Sequence, residues 1–437
     1  MIPRDSGPVY LTEGDCFMFA LEKKHMHQDG ASNNTCRYML KVVGQVDHEE
    51  FKIKVNENRD ITWLAALVPE KKSPLSIPKW RATGTSVEVP VRIHNSDDFL
   101  PSSILGRKIL IDQPPLLEFD VIYRSDGNST IVFSWHHLVM DGHGAILLLK
   151  QIADDLTATS TNLYDRGKPQ LFGLKSFWQA TRAKFFVDRV SKKPLSGIMD
   201  LQRKAGQKQV VKILRFTKEE TANIDKLAPG LGARFGRSPF YLACAARCVS
   251  SLLQKKGKTI RDFWIPVPRN QRRKGAKGPV LGNHLAFMFY RIKSNELKSL
   301  SASVATIDRQ TRDQIRIGMT RAYDILIRYL RRTPLPLYYF WIKGPKGGAL
   351  SSFLFTVAAD HPDALTHFAG HRVVDAISIP SNIYPPGLTF AFMHFHGCLQ
   401  LMILYFEGMI TDPELADFER QLRHELTTGL SYRHETA

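Results

Sequence analysis

The residue types best suited to chemistry lie in the run WHHLVMDGHGA, in which His136 and His137 precede Asp141 and Gly142. A neutral imidazole, with a pKa of about 6.5, is the side chain best matched to accept a proton at neutral pH. Moving an acyl group from a thioester to an alcohol or amine needs one such base, because the thioester is already activated. The same imidazole would then protonate the departing thiolate while nearby donors stabilise the oxyanion.

Both parts of this run allow a structural interpretation as well. A pair of histidines at the end of a strand is on general grounds more often structural than catalytic. The Asp-Gly that follows and the position between a strand and a helix favour catalysis. Asp141 either orients the imidazole or holds the tight turn through an ion pair with an arginine, and we expect the second role.

The elements around the run follow from its flanking sequence. LLEFDVIY and TIVFSW are apolar-rich and are joined by RSDGNS, whose Asp-Gly and Asn favour a turn, so they predict a hairpin. AILLLKQIADDL places its apolar residues at helical spacing. The two histidines therefore lie where a strand ends and just before a helix begins.

Further strands and helices alternate to the C-terminus, which predicts an α/β fold. A basic stretch from about Lys168 to Arg203 is typical of a crossover containing one amphipathic helix. We predict an N-terminal lobe over 1–175, a crossover linker over 176–206 and a C-terminal lobe over 207–437. The predicted elements of that last lobe are the strands VVKILRF, DFWIPVP and LGNHLAFMFYRI, helices at Thr217, Ser238–Leu253, about Ser299 to Arg332 and Asp412, and two strands around Gly397.

The motif resembles the HHxxxDG signature of the thioester-dependent acyltransferase superfamily. That superfamily contains chloramphenicol acetyltransferase, carnitine acyltransferases, condensation domains of nonribosomal peptide synthetases and bacterial wax ester synthase/diacylglycerol acyltransferases. The opening GDCFMFALEKKHMHQ is similar to the start of the wax ester synthases, and PVPRNQRR followed by LGNHLAF resembles later segments of that group. The resemblance therefore covers most of the chain.

This resemblance implies two chloramphenicol acetyltransferase-like lobes, each a mixed sheet with helices, around a central substrate tunnel. It implies that His137 is the catalytic base, with His136 and Asp141 in the catalytic group and Gly142 as the turn residue. It also implies a structural role at the site for Arg272 and a substrate-lining role for Asn283. From the residues alone, Arg272 is typical of a solvated basic loop and Asn283 of a Gly-Asn turn.

Two features depart from the wax ester synthase pattern. His143 follows Gly142, where members of the superfamily often carry an apolar or small residue. SSFLFTVAAD stands where a wax ester synthase has a Ser-Asn-Val-Pro-Gly-Pro run. Both departures concern the acyl and acceptor substrates and leave the acyl-transfer chemistry unaffected.

The charge balance indicates an anionic partner. The 437 residues include 60 basic and 42 acidic ones, a net charge of +18. No nucleic-acid-binding motif accompanies this surplus, so we expect an acyl-CoA or a phosphopantetheine-carrier thioester as co-substrate, an acidic acyl carrier protein as a partner, and no permanently bound cofactor. The aromatic-basic stretches KSFWQATRAKFFVDRVSKK and IRYLRRTPLPLYYFWIK also suit peripheral contact with an anionic bilayer, although buried crossover helices look similar.

Other classes of site lack their motifs. Neither the G-x-S-x-G elbow nor the G-x-x-x-x-G-K-[ST] loop occurs. We expect no catalytic metal, because the histidine groups around positions 136–143, 361–371 and 394–396 lack zinc-ligand spacing. The five cysteines form no C-x-x-C pair, so we expect reduced thiols. No long apolar run or signal peptide is apparent, and we predict a cytoplasmic protein.

We therefore expect an O-acyltransferase that moves an acyl chain from a coenzyme A or carrier thioester to a hydroxyl group. One alternative is an amide-forming, condensation-like enzyme. Another is a catalytically silent homologue that binds acyl chains or a carrier protein.

Overall fold

The computed structural model describes residues 8–23, 34–83, 87–160, 162–165, 173–198, 208–343 and 350–432. The strands are β1 Val9–Tyr10, β2 Thr35–Val42, β3 Leu67–Glu70, β4 Lys79–Ala82, β5 Val91–Asn95, β6 Leu117–Tyr123, β7 Ser129–His136, β8 Gln209–Arg215, β9 Phe263–Asn270, β10 Leu285–Ile292, β11 Leu354–Val357, β12 His367–Phe368, β13 His371–Ile379, β14 Thr389–Phe395 and β15 Cys398–Phe406. The helices are α1 Glu13–Leu21, α2 His48–Glu57, α3 Arg59–Ala65, α4 Ser102–Leu105, α5 Gly142–Gln151, α6 Leu174–Val190, α7 Lys218–Gly230, α8 Ser238–Lys255, α9 Leu300–Arg316, α10 Met319–Leu330, α11 Leu335–Lys343 and α12 Asp412–Thr428.

A six-stranded mixed sheet carries the predicted site. Its order is β12-β13-β2-β7-β6-β5, with β5 parallel to β6. Strands β6 and β7 form the predicted antiparallel hairpin, in which Leu117 lies opposite Trp135. Every residue of β7 is buried. Since alternate side chains point to opposite sides of a sheet, both faces of the strand are covered. Phe133 and Trp135 enter the larger apolar core, while Val132 enters a cluster shared with the second sheet.

The second lobe is built on a four-stranded mixed sheet of order β11-β14-β15-β8, in which β11 runs parallel to β14. The two predicted strands around Gly397 are β14 and β15, which pair from Thr389 opposite Leu404 to Phe395 opposite Cys398. Helix α8 supplies much of the core beneath this sheet, and β9 and β10 form a separate antiparallel pair. The architecture is therefore α/β with two mixed-sheet lobes.

One strand pairing joins the two halves of the chain and is not predicted by the order of the sequence. Strand β13 belongs to the C-terminal half of the chain but pairs with β2 of the N-terminal half, with Ile377 opposite Met39. Its Ile377 and Ile379 pack with Met393 and Met402 between the sheets. The division at 176–206 stays a prediction, and the six-stranded sheet draws on both sides of it.

The long helix predicted from about Ser299 to Arg332 is two helices, α9 and α10. They are separated at Gly318, whose φ of 62° is left-handed and incompatible with a continuing right-handed helix. Within the described ranges, no helix combines the length and the apolar character that crossing a bilayer requires.

A buried ion pair anchors α8 to α12. Arg247 donates from Nε to both carboxylate oxygens of Glu425 at 3.0 Å, and Glu425 is fully buried. We expect Arg247→Met to lower the free energy of unfolding by about 3–5 kcal/mol, because it leaves an uncompensated buried carboxylate. The double variant with Glu425→Leu should recover most of that loss. Urea unfolding measures both.

The matched control is Lys41→Met, which breaks the exposed pair with Asp126. We expect it to change the free energy of unfolding by less than about 1 kcal/mol. Equal losses of unfolding free energy for Arg247→Met and Lys41→Met would show that the buried pair stabilises the fold no more than the exposed pair.

Candidate active site

The motif turn is fixed by hydrogen bonds at both of its ends. His136 is the last residue of β7, and the indole Nε1 of Trp135 donates to the carbonyl of Met140 at 2.9 Å. Asp141 caps the N-terminus of α5, where its Oδ1 accepts from the backbone N–H of Gly144 at 2.8 Å. The chain therefore leaves the strand, turns and enters the helix in a single defined conformation.

A buried arginine completes this turn. The Nη1 of Arg272 donates to both carboxylate oxygens of Asp141, at 2.9 and 2.8 Å, and both side chains are almost entirely buried. The backbone N–H of His284 adds a further bond to Asp141 at 2.9 Å. Burial alone would raise the pKa of Asp141, but the Arg272 guanidinium and these hydrogen bonds outweigh it and lower the pKa. Asp141 is therefore an ionised structural anchor.

The glycine that the packing requires is Gly144. A Cβ atom at Gly144 would lie 2.4 Å from the carbonyl oxygen of Val280, which belongs to the segment between β9 and β10. Gly142 begins α5 and lines the cavity that His137 also lines, and a Cβ there would meet no atom within 4 Å. The turn role that the resemblance implied for Gly142 is thus not forced by close packing, whereas Gly144 lets the second lobe approach the motif.

His137 lies on the wall of a cavity of about 510 Å³ between the lobes. This volume is in the range of small-molecule binding sites. The cavity is mostly apolar and is lined by both halves of the chain. Its lining includes Phe17, Trp135, Val187, Trp264, Phe287, Tyr323, Ile342, Thr356 and Ser381.

The His137 backbone is held on both sides. Its N–H donates to the carbonyl of Asn34 at 2.8 Å, and its carbonyl accepts from Nδ2 of Asn283 at 2.8 Å. Burial lowers the pKa of His137 below its ordinary value of 6.5, and the nearby Asp141 carboxylate only partly opposes this. The imidazole is therefore neutral at neutral pH and able to accept a proton.

Asn283 is placed differently from the expected substrate-lining position. It is buried behind His137 and is absent from the cavity wall. Its Nδ2 donates to Oδ1 of Asp15 at 2.9 Å as well as to His137. Because each of these bonds fixes backbone or a buried carboxylate, Asn283 supports the motif from behind.

Asp15 is the residue of this network that the sequence analysis missed. Its carboxylate accepts from the backbone N–H groups of Thr12 and Asn283 at 2.8 and 2.7 Å. Burial raises its pKa despite these bonds. The available signal was Thr12 three residues before Asp15, a capping-box spacing at the start of α1. Its contact with Asn283 could not be read from that spacing.

His136 also differs from its expected position in the catalytic group. Its side chain is fully buried and does not line the cavity. Its Nδ1 accepts from the backbone N–H of Leu138 at 3.1 Å, while Nε2 lies 3.5 Å from the carboxylate of Glu22. Leu138 follows the motif histidines directly, so this bond ties His136 to the turn.

Beside His137, two further features shape the cavity. His143 lines it, and burial together with the charge of Arg272 lowers the His143 pKa. Across the cavity, aromatic rings pack against one another, with Phe17 and Phe287 centroids 5.3 Å apart and Trp264 stacked on Phe289 at 5.5 Å. Such a wall suits an apolar chain.

The other histidines and the cysteines that the structure describes form no comparable site. Among the described residues, no three histidine, cysteine, aspartate or glutamate side chains gather as a metal-binding group would. His394 binds Oδ1 of Asp360 through Nδ1 at 3.0 Å and accepts from Arg237 at its Nε2 at 2.9 Å. All five cysteines are free thiols, and burial raises the pKa of Cys36, which lines the cavity, to about 12.

Solved structures with the same architecture include the first condensation domain of the calcium-dependent antibiotic synthetase in complex with a substrate analogue. The two chains are 14% identical, the match covers 97% of this chain and 96% of that one, and the TM-score is 0.68. The fold is that of a condensation domain. The condensation domain of the Monacolin K polyketide synthase MokA matches at 12% identity, 97% of each chain and a TM-score of 0.64.

The starter condensation domain of rhizomide synthetase RzmA matches at 13% identity over 97% of this chain and 96% of that chain, with a TM-score of 0.58. No protein-family model matches the sequence. No curated protein is significantly similar to it. The condensation-domain fold contains the two chloramphenicol acetyltransferase-like lobes expected from the motif.

We expect Asp141→Asn to lower the free energy of unfolding by about 3–5 kcal/mol near pH 7, because Arg272 would stay buried without its carboxylate. Asp141 has a lowered folded-state pKa, so its stabilisation is present above the ordinary value of 3.8 and is lost as the pH falls through the folded-state pKa. The difference between the two proteins should therefore shrink in acid. Urea unfolding near pH 7 and near pH 3 measures it. A difference that does not depend on pH would contradict the ion-pair assignment.

Proposed function

We propose that this protein is a thioester-dependent O-acyltransferase with His137 as its general base. The observation that carries the proposal is the placement of a neutral imidazole on the wall of an apolar cavity between the two lobes. The substrates would be an acyl-CoA or acyl-carrier thioester and an apolar acceptor bearing a hydroxyl group. The aromatic lining supports an apolar acyl chain, because burial of such a chain is favourable in proportion to the area removed from water.

The proposed reaction uses one residue twice. Because Nδ1 of His137 is buried, Nε2 is the nitrogen that we assign as base. It accepts the hydroxyl proton while the acceptor oxygen forms a bond to the thioester carbonyl carbon. The tetrahedral oxyanion then collapses, the carbon–sulfur bond breaks, and the imidazolium gives its proton to the thiolate. The products are an ester and a free thiol, and no covalent enzyme intermediate forms.

The other polar residues act through His137 in this proposal. Asn283 and the carbonyl of Asn34 hold the His137 backbone, and the Asp141–Arg272 pair holds the turn. These are positioning residues, because their contacts are made with protein groups. Gly142 and His143 lie at the cavity and would border the substrates.

A coenzyme A donor and a carrier-protein donor both fit the chemistry. A variant of the RzmA starter condensation domain has been solved in complex with C8-CoA. The net charge of +18 favours either donor, since one carries phosphates and the other is typically acidic. Comparing the rates of thiol release from octanoyl-CoA and from an octanoyl carrier protein distinguishes them.

Amide formation is the second candidate. Solved relatives in fold come from a calcium-dependent antibiotic synthetase and a rhizomide synthetase. The same base would deprotonate an amine as it attacks the thioester. Competition between a fatty alcohol and an alkylamine of equal chain length, with product analysis by mass spectrometry, separates the two candidates. A protein that binds acyl thioesters but releases no thiol in the presence of either acceptor would be the catalytically silent homologue.

We expect His137→Ala to reduce acyl transfer by about a hundred- to ten-thousand-fold, the contribution of one general base. Thiol release from octanoyl-CoA in the presence of a fatty alcohol measures the rate, and thermal unfolding checks that the fold is intact. The control is His367→Ala, which removes an exposed histidine on β12 and should leave both measurements unchanged. A His137→Ala protein with full activity would remove His137 from the mechanism.

The pH dependence of kcat/KM provides an independent test. Only the neutral imidazole accepts a proton, so activity is lost as the pH falls through the pKa of His137. Burial lowers that pKa, and the midpoint of the acid limb should therefore lie below 6.5. An acid limb centred above pH 6.5 would indicate another base or a solvated imidazole.

A further inference from the structure

Helix α6 has large exposed apolar residues on its outer side, where exposed basic residues also lie. Ala180, Ala183 and Val187 face the core. Leu174, Trp178 and Phe185 lie about half a turn away, on the opposite side of the helix, and their exposed fractions are 82%, 67% and 72%. Large exposed apolar side chains that lie close together commonly mark a surface that contacts a protein or a membrane. The outer side of α6 is therefore a candidate contact surface.

Helix α11 extends this apolar surface. Its Tyr338 is buried, while Leu337, Phe340 and Trp341 are exposed. The two helices meet where Nζ of Lys184 lies 5.7 Å from the centre of the Trp341 ring. We call the exposed apolar side chains of these helices the α6–α11 face. They are Leu174, Phe177, Trp178, Phe185, Leu337, Phe340 and Trp341.

The surroundings of the α6–α11 face are basic. Between positions 174 and 193 the sequence has six basic residues and one acidic residue. The acidic one, Asp188, is paired with Lys184. The exposed cations are Lys175, Arg182, Arg189, Lys192 and Lys193. Tryptophan and phenylalanine flanked by lysine and arginine on one helix are typical of a helix that lies in the interface of an anionic bilayer.

The same two helices form part of the cavity wall. Val187 of α6 and Ile342 of α11 line the cavity that contains His137. Each helix therefore has one side toward the cavity and another toward the solvent. A membrane bound to the outer side would lie one helix thickness, about 10 Å, from the cavity.

We propose that the α6–α11 face binds the interface of an anionic bilayer and that the acceptor alcohol reaches the cavity from that bilayer. Membrane binding is inferred from the α6–α11 face alone, whereas the route of the acceptor alcohol rests on the proposed function. The phenyl and indole groups enter the headgroup region, where their removal from water is favourable. The flanking cations interact with anionic headgroups. A second copy of this chain suits the face less well, because an isologous contact would bring two basic rims together.

Cosedimentation with vesicles tests the proposal directly. We expect the protein to bind vesicles of phosphatidylglycerol and phosphatidylcholine and to bind pure phosphatidylcholine at least about tenfold more weakly. Trp178→Glu with Phe185→Glu should weaken binding to the anionic vesicles by at least about tenfold, because it places two charges in the apolar layer. Lys175→Glu with Arg189→Glu should abolish the preference for anionic lipid.

The matched control is Ile53→Glu with Leu430→Glu, which adds the same charge at exposed apolar residues outside the α6–α11 face. This control should bind vesicles like the unchanged protein. The proposal is overturned if the unchanged protein does not bind anionic vesicles or if the control loses binding equally. It is also overturned if Trp178→Glu with Phe185→Glu dissociates a dimer in sedimentation velocity without affecting vesicle binding.

Activity assays separate this proposal from the proposed function. Trp178→Glu with Phe185→Glu should retain transfer to a short water-soluble alcohol and lose transfer to a long-chain alcohol held in anionic vesicles. His137→Ala should bind vesicles normally and transfer to neither acceptor. Vesicle binding without any transfer by the unchanged protein would contradict the proposed function alone. Equal loss of transfer to both acceptors in the Trp178–Phe185 variant would contradict the acceptor route.

Discussion

The buried ion pair of Asp141 with Arg272 is the interaction on which the site depends. It joins the turn after β7 to the loop after β9, 131 residues later in the chain. Each carboxylate oxygen of Asp141 also accepts a backbone N–H, from Gly144 or His284. A buried charge is stable only when paired and hydrogen-bonded in this way. The pair fixes the orientation of the motif turn and brings the two halves of the chain together beside it.

Position between the lobes gives His137 its chemical character. Partial burial lowers the pKa of the imidazole, which keeps the proposed base neutral at neutral pH. The apolar lining of the same cavity, which includes Phe17, Trp264 and Phe287, suits the apolar chain of the proposed substrate. One physical condition, a mostly apolar cavity between the two lobes, thus favours both the neutral imidazole and the substrate proposed for it. The charged side chains that hold the motif turn, Asp141 and Arg272, are almost entirely buried beside the cavity.

The helices next to the cavity connect this site to the surface of the molecule. Helix α6 packs its small and apolar inner side against the core, while its outer side combines aromatic and basic residues. Helix α11 adds the exposed Leu337, Phe340 and Trp341 to this outer side. In the proposed membrane-bound state, both sides of these helices would contact apolar material. The aromatic residues would then have the same physical function outside the cavity as they have inside it.

The sequence by itself determined the local structure: the β6–β7 hairpin, the histidines at the end of its second strand, and α5 after them. These features depend on residues that are close in the sequence, and the periodic spacing of apolar residues therefore predicts them. Only the tertiary structure decided that Asn283 supports His137 from behind, that His136 is buried, and that β13 joins β2. Each of these depends on residues far apart in the chain, whose meeting is set by how the sheets pack.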